Sequence, residues 1–196
     1  MIVIGITGPT GAGKTTALNQ LEALGGCVLD ADAVYHQLLE EDGGLRHALE
    51  GRFGPLTGAD GSFDRKKLGK VVFHSKAALE DLDRIAHRHV MDELHRRLAR
   101  AEQEGYAAVA IDGYALFESG CDKLCDTTVG VLAPAEIRVR RIMDREGISE
   151  DYARARVAAQ RDDDFYRQRC GHILMNDCAS PEEFGQRARA FFQSVI

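Results

Sequence analysis

The residues Gly8-Pro9-Thr10-Gly11-Ala12-Gly13-Lys14-Thr15 constrain this chain more than any other stretch of it. They fit the Gly-x-x-x-x-Gly-Lys-Thr pattern, and the flanks give that pattern its physical meaning. The apolar run Ile2 to Ile6 precedes them as a strand. Ala17, Leu18, Leu21 and Leu24 follow at helical spacing, and Gly25-Gly26 ends the helix. Glycines in such a loop let successive backbone N–H groups turn inward around phosphate oxygens, and the helix N-terminus favours the anion further. Lys14 sets a charge across the β and γ phosphates, and the Thr15 hydroxyl suits a magnesium ion. Gly8, Gly11, Ala12, Gly13, Lys14, Thr15 and Thr16 are therefore the candidate nucleotide-binding residues, with ATP and Mg²⁺ as the expected ligands. Pro9 removes one N–H donor, early in the loop.

The order of the remaining signals predicts the fold. Cys27-Val28-Leu29 reads as a second buried strand ending at Asp30-Ala31-Asp32, so the chain opens with the βαβ spacing of a parallel sheet. From Ala33 to Glu104 the signals are helical, apart from a turn-rich loop over Gly51 to Gly61. Leu79, Leu82, Ile85, Ala86, Val90, Leu94 and Leu98 predict one long helix over Lys76 to Glu104. Unbroken apolar runs return at Ala107 to Ile111 and Thr127 to Leu132, as in parallel strands covered on both faces. Pro134 opens another helix. That helix and the next, over Ser149 to Arg161, carry Arg138, Arg140, Arg141, Arg145, Arg154, Arg156 and Arg161. A last strand, His172 to Met175, and a helix from Pro181 close the chain. The expected architecture is α/β: a three-layer P-loop NTPase fold with a central parallel sheet. The core comprises residues 1–35, 105–133 and 170–196, with an inserted helical substrate lobe over 36–104 and a helical lid over 134–165.

Several side chains carry candidate chemistry. Ligands of open parallel sheets sit outside the carboxyl ends of the strands, where Asp30 and Asp32 stand. A carboxylate there can meet magnesium or take a proton from an attacking hydroxyl, although either Asp also serves as a helix cap. Ala108-Val109-Ala110-Ile111-Asp112 has the form of a Walker B strand, whose Asp holds magnesium through water. The arginine-rich helices fit a lid that closes on phosphate, or equally a solvated face paired with Glu136, Asp144, Glu146, Glu150 and Asp151. Arg65, Lys66, Lys67 and Lys70 form a basic patch in a chain of net charge −6, which points to an anionic substrate. His87-Arg88-His89 has no obvious third ligand for a metal site.

The acidic balance argues against a duplex nucleic-acid binder. The apolar runs are too short to span a bilayer, and the first residues lack a basic n-region, so the expectation is a cytoplasmic protein without membrane partners. Five cysteines, with no CxxC pair, read as free thiols. The expected partners are small molecules, and the expected state is a monomer or weak oligomer.

Taken together, the P-loop, Leu29-Asp30-Ala31-Asp32 and the helical insertion resemble the dephospho-coenzyme A kinase family. Phe63 to Gly69 with Val72-Phe73, Leu82 with Ile85-Ala86-His87, and Leu116-Phe117-Glu118 resemble further family segments. So do Arg141 with Arg145, Gln160 and Asn176. Arg88, Tyr114-Ala115 and Cys170-Gly171 depart from the usual pattern. The resemblance implies transfer of the ATP γ-phosphoryl group to the ribose 3′-hydroxyl of dephospho-coenzyme A. It implies Asp32 orienting that hydroxyl, Lys14, Arg141 and Arg145 stabilising charge, and Arg65 and His87 on the acceptor side. It puts Asn176 by the adenine. The rivals are another small P-loop kinase of the nucleoside-monophosphate type and a non-catalytic nucleotide switch. The guanine-selecting Asn-Lys-x-Asp of GTPase switches does not occur.

Overall fold

The computed structural model describes residues 1–41, 43–58, 60–113 and 115–196. Tyr114, one of the departures from the family pattern, lies outside the described residues. The strands β1 (Ile2–Thr7), β2 (Cys27–Asp30), β3 (Ala108–Asp112), β4 (Thr127–Leu132) and β5 (His172–Met175) form one sheet in the order β2-β3-β1-β4-β5. β1 pairs in parallel with β3 and β4, and β4 in parallel with β5. β1 is thus central, and the loop that leaves its carboxyl end is flanked by strands on both sides. The register sets Ile6 level with Asp112 and Thr7 level with Gly130. Because β1 is buried from Val3 to Thr7, it has the apolar composition expected of an inner parallel strand.

Two compact units divide the chain. The first comprises Met1–Leu29 and Ala101–Ile196. In it α1 (Lys14–Ala23) and the closing helix α9 (Pro181–Val195) pack with the sheet through Leu18, Leu21, Ile4, Ile6, Phe184 and Phe192. α9 begins at Ser180, whose hydroxyl accepts from Glu183 N at 3.2 Å, with Pro181 in the first turn. α6 (Ala135–Glu146) and α7 (Glu150–Ala158) pack together through Val139, Ile142 and Ala153. A short helix, α8 (Asp163–Arg169), follows and has no counterpart among the elements expected from the sequence. It is only seven residues long, too short to show a helical repeat; its cap, Asp162 accepting from Phe165 N at 2.9 Å, is its one local signal.

The second unit is Asp30–Arg100. It holds α2 (Ala31–Glu40), α3 (Gly44–Phe53), α4 (Arg65–Val72) and most of α5 (Lys76–Gln103) around Leu39, Leu45, Leu49, Leu56 and Leu68. The turn-rich stretch before α4 is tied down by a buried arginine. Arg46 Nη2 donates to Thr57 Oγ1 and to Gly61 O, both at 2.7 Å. Glu50 Oε1 accepts from Leu56 N at 3.0 Å and Thr57 Oγ1 at 2.7 Å.

Candidate active site

The loop after β1 forms a tight turn before α1. Ala12 N donates to Pro9 O at 3.2 Å, Gly11 has φ +81°, and no described non-glycine residue has positive φ. That combination makes Pro9–Ala12 a type II turn, which needs glycine at its third position. Pro9 contributes only its carbonyl, so its missing N–H costs the loop nothing. Gly13, at φ +104°, then caps α1. The amides of Lys14, Thr15 and Thr16 fall in the first turn of α1, where no intrahelical carbonyl can take them up. They are donors at the positive end of a helix, which is the chemistry a phosphate requires. Lys14 curls back so that Nζ donates to Gly8 O at 3.2 Å.

The arginines of α6 and α7 separate into distinct jobs. Arg141 reaches under the loop: Nη1 donates to Gly11 O at 3.2 Å and to Ala12 O at 3.4 Å, and Nη2 to Asn176 Oδ1 at 3.1 Å. Burial lowers its pKa from the ordinary guanidinium value. Arg138 is only 4% exposed; its Nε donates to Thr10 O at 3.1 Å and its Nη2 to Gln160 Oε1 at 2.7 Å. Arg145 pairs with Glu146 at 2.6 Å on the surface. Arg154 forks onto Glu136 at 2.7 Å and also reaches Glu150, while Arg156 pairs with Glu146. Arg154 and Arg156 therefore realise the solvated-face reading, and Arg138 and Arg141 do not.

Among the described residues, two cavities open on the loop. One, of about 240 Å³, is lined by Pro9, Thr10, Gly13, Lys14, Thr15, Arg141 and Arg145. The other, of about 600 Å³, includes Lys14, Glu118, Gln160, Arg161 and Tyr166. Arg161 lies 3.5 Å from Glu118 and stacks 5.0 Å from the Phe165 ring centroid. Thr15 is exposed at the head of α1, and Asp112 ends β3. Hydroxyl and carboxylate oxygens are the donor set that magnesium prefers.

Asn176, expected beside adenine, also bonds to the loop backbone. It is 3% exposed; its Nδ2 donates to Ala12 O at 2.7 Å while its Oδ1 accepts from Arg141. Both ends of its amide are thus taken up by the protein. The places of Arg138 and Tyr166, and the loop-holding role of Gln160, are not evident from the sequence. Arg138 is one of seven arginines between residues 138 and 161, and nothing in the sequence marks it as the buried one.

In the second unit, Asp30 caps α2 by accepting from Ala33 N at 2.9 Å, which leaves Asp32 exposed in the first turn. Arg65 opens α4 and pairs with Glu40 at 3.5 Å. It lines an apolar slot with Tyr35, Phe63, Leu68 and Phe73. His87 is exposed on α5, and its neighbour His89 is only half-buried. Among the described residues no group of three His, Cys, Asp or Glu side chains is disposed to hold a metal.

Proteins similar to this chain in sequence point to one family. A family model for dephospho-CoA kinase matches residues 2–182. A dephospho-CoA kinase of Corynebacterium diphtheriae is 34% identical, over 98% of this chain and 96% of its own. That of Symbiobacterium thermophilum is 36% identical, over 90% and 74%. A crystal structure from Thermus thermophilus is 32% identical with TM-score 0.79, covering 100% of this chain and 97% of that one. The dephospho-CoA kinase from Campylobacter jejuni has TM-score 0.71 at 25% identity, over 98% and 96%. A shikimate kinase from Acinetobacter baumannii, at 17% identity and TM-score 0.51, shares the fold alone. With its P-loop, its parallel sheet and its near full-length similarity, this chain belongs to the dephospho-CoA kinase family.

Proposed function

We propose that this chain transfers the γ-phosphoryl group of ATP to the ribose 3′-hydroxyl of dephospho-coenzyme A, giving coenzyme A and ADP. The observation that carries the reading is the convergence of Lys14, the first-turn amides of α1 and Arg141 on one loop. Phosphoryl transfer leaves a protein little covalent chemistry to perform. Positioning and charge stabilisation do most of the work.

In this reading the amides of Gly11 and of Gly13 to Thr16, with the Lys14 ammonium, hold the β and γ phosphates, while the Ala12 amide closes the turn onto Pro9 O. Arg141 and Arg145 belong to a lid, residues 134–165, and meet charge that develops on the transferred group. Arg145 reaches it by leaving its surface pair with Glu146, a weak contact at that exposure. Thr15 directly, and Asp112 through water, would hold magnesium, which would supply positive charge to offset that of the phosphates. Asp32 orients the acceptor hydroxyl and takes its proton late, because a ribose hydroxyl is a very weak acid. Its exposure, with the capping task left to Asp30, supports that assignment. Arg65 and His87 face the acceptor. Asn176 sits by the adenine and also braces the loop through Ala12 and Arg141.

The decisive test is product analysis after incubation with ATP, Mg²⁺ and dephospho-coenzyme A, alongside an ADP-release assay over other acceptors. Coenzyme A and ADP in equal amounts are expected. Turnover with AMP or a nucleoside, and none with dephospho-coenzyme A, would overturn the assignment.

A further inference from the structure

The Pro9–Ala12 turn is held from outside at its most ambiguous bond. Type I and type II turns differ by a flip of the central peptide, here Thr10–Gly11. In the observed form Thr10 O faces Arg138, whose Nε donates to it at 3.1 Å. In a trans peptide the N–H points opposite to the C=O, so Gly11 N–H is directed away from Arg138. A flip would reverse both dipoles, offering a carbonyl where the loop otherwise presents a donor.

Arg138 is itself aimed by Gln160. Gln160 Oε1 accepts from Arg138 Nη2 at 2.7 Å and from Thr10 N at 3.0 Å. One side-chain oxygen therefore holds the Thr10 N–H while steering the group that holds the Thr10 carbonyl. The two partners come from different places, Arg138 from α6 and Gln160 from just beyond α7. Arg138 is buried, so its guanidinium depends on these acceptors, and few alternative positions are open to it.

We propose that Gln160 is a positioning residue for nucleotide binding: with Arg138 it locks the Thr10–Gly11 peptide in its type II orientation. It acts through the loop backbone, so the proposal concerns ATP affinity. It rests on the kinase reading only for its link to turnover.

Titration of the purified full chain with a fluorescent ATP analogue and Mg²⁺ tests this without any acceptor, so its outcome is separate from whether dephospho-coenzyme A is the substrate. Gln160→Leu keeps the bulk and removes the shared acceptor; its Kd is expected to rise at least fivefold. Gln160→Glu keeps an acceptor oxygen beside Arg138, whose guanidinium neutralises the added charge, and is expected to recover most of the lost affinity. Thermal unfolding identifies any variant that fails to fold, and Gln160→Glu carries the test if Gln160→Leu is such a variant. Equal affinity of Gln160→Leu and the parent overturns the proposal. So does a Gln160→Glu chain that folds but binds at least fivefold more weakly than the parent.

Discussion

Asn176 lies directly beneath Gly13: a Cβ on Gly13 would collide with Asn176 Nδ2, the same nitrogen that donates to Ala12 O. Gly13 also sits at φ +104°, a backbone conformation that side chains strain. Gly13→Ala is therefore expected to abolish measurable ATP binding by displacing the loop from its support. Asn176→Ala leaves Ala12 O and Arg141 short of a partner. Loss of one buried partner costs roughly 1–3 kcal/mol, and that fall should appear in denaturant unfolding together with weaker ATP binding by titration.

The arginines offer a paired comparison. Arg141 touches Gly11, Ala12 and Asn176, whereas Arg154 makes exposed pairs with Glu136 and Glu150. Those carboxylates hold Arg154 above its usual guanidinium range, and Arg154 holds Glu136 below the usual carboxylate range, but both groups are open to solvent. Arg141→Ala is expected to lower kcat by about 10²-fold, the scale of losing one group that meets transition-state charge. Arg154→Ala is expected to change kcat less than about twofold, as exposed ion pairs contribute little. Steady-state kinetics on the two variants side by side reads the contrast.

Asp32→Asn separates binding from chemistry. The amide keeps the shape but neither charge nor basicity. Turnover is expected to fall by about 10²–10⁴-fold, while ATP affinity by titration stays within twofold of the parent. Unchanged turnover would show that Asp32 neither orients the acceptor hydroxyl nor takes its proton.

The loop, the strands and the order of elements are legible in the sequence because each has a local signature. β5 is bounded at His172 and Met175, and Lys14 opens α1, since apolar runs and glycine stops are written in consecutive residues. Arg138 and Gln160 cannot be read the same way. Their function lies in hydrogen bonds to Thr10, and no periodicity or spacing encodes a contact across that much chain. Asn176 is singled out by family resemblance, but its bond to the loop backbone is not legible from sequence. Of Asp30 and Asp32, composition alone leaves both eligible as caps; only the bond from Ala33 N to Asp30 separates them.

The thiols make a pH prediction. Burial pushes the Cys125 pKa up to about 12 and the Cys170 pKa up to about 11. A thiol that resists ionisation in the folded state favours folding below the ordinary thiol range. That contribution is lost as pH rises from there through the raised folded values. Stability is therefore expected to decline from about pH 9 upward, and Cys125→Ala should flatten part of the decline in denaturant unfolding. In the native protein at pH 8, a thiol reagent should spare Cys125 and Cys170, and all five cysteines should react once the chain is unfolded.

The hydrogen bonds that hold Thr10, Gly11 and Ala12 reach across 128 to 164 residues of sequence. The nucleotide loop is thus synthesised well ahead of the residues that support it. Contacts so distant in sequence form slowly, because a long chain must close before they can. A growing chain carries the whole motif long before Asn176 arrives to complete the brace of the phosphate cradle. ATP consequently recognises the finished fold rather than the motif, and by mass action its binding favours chains that have completed the sheet.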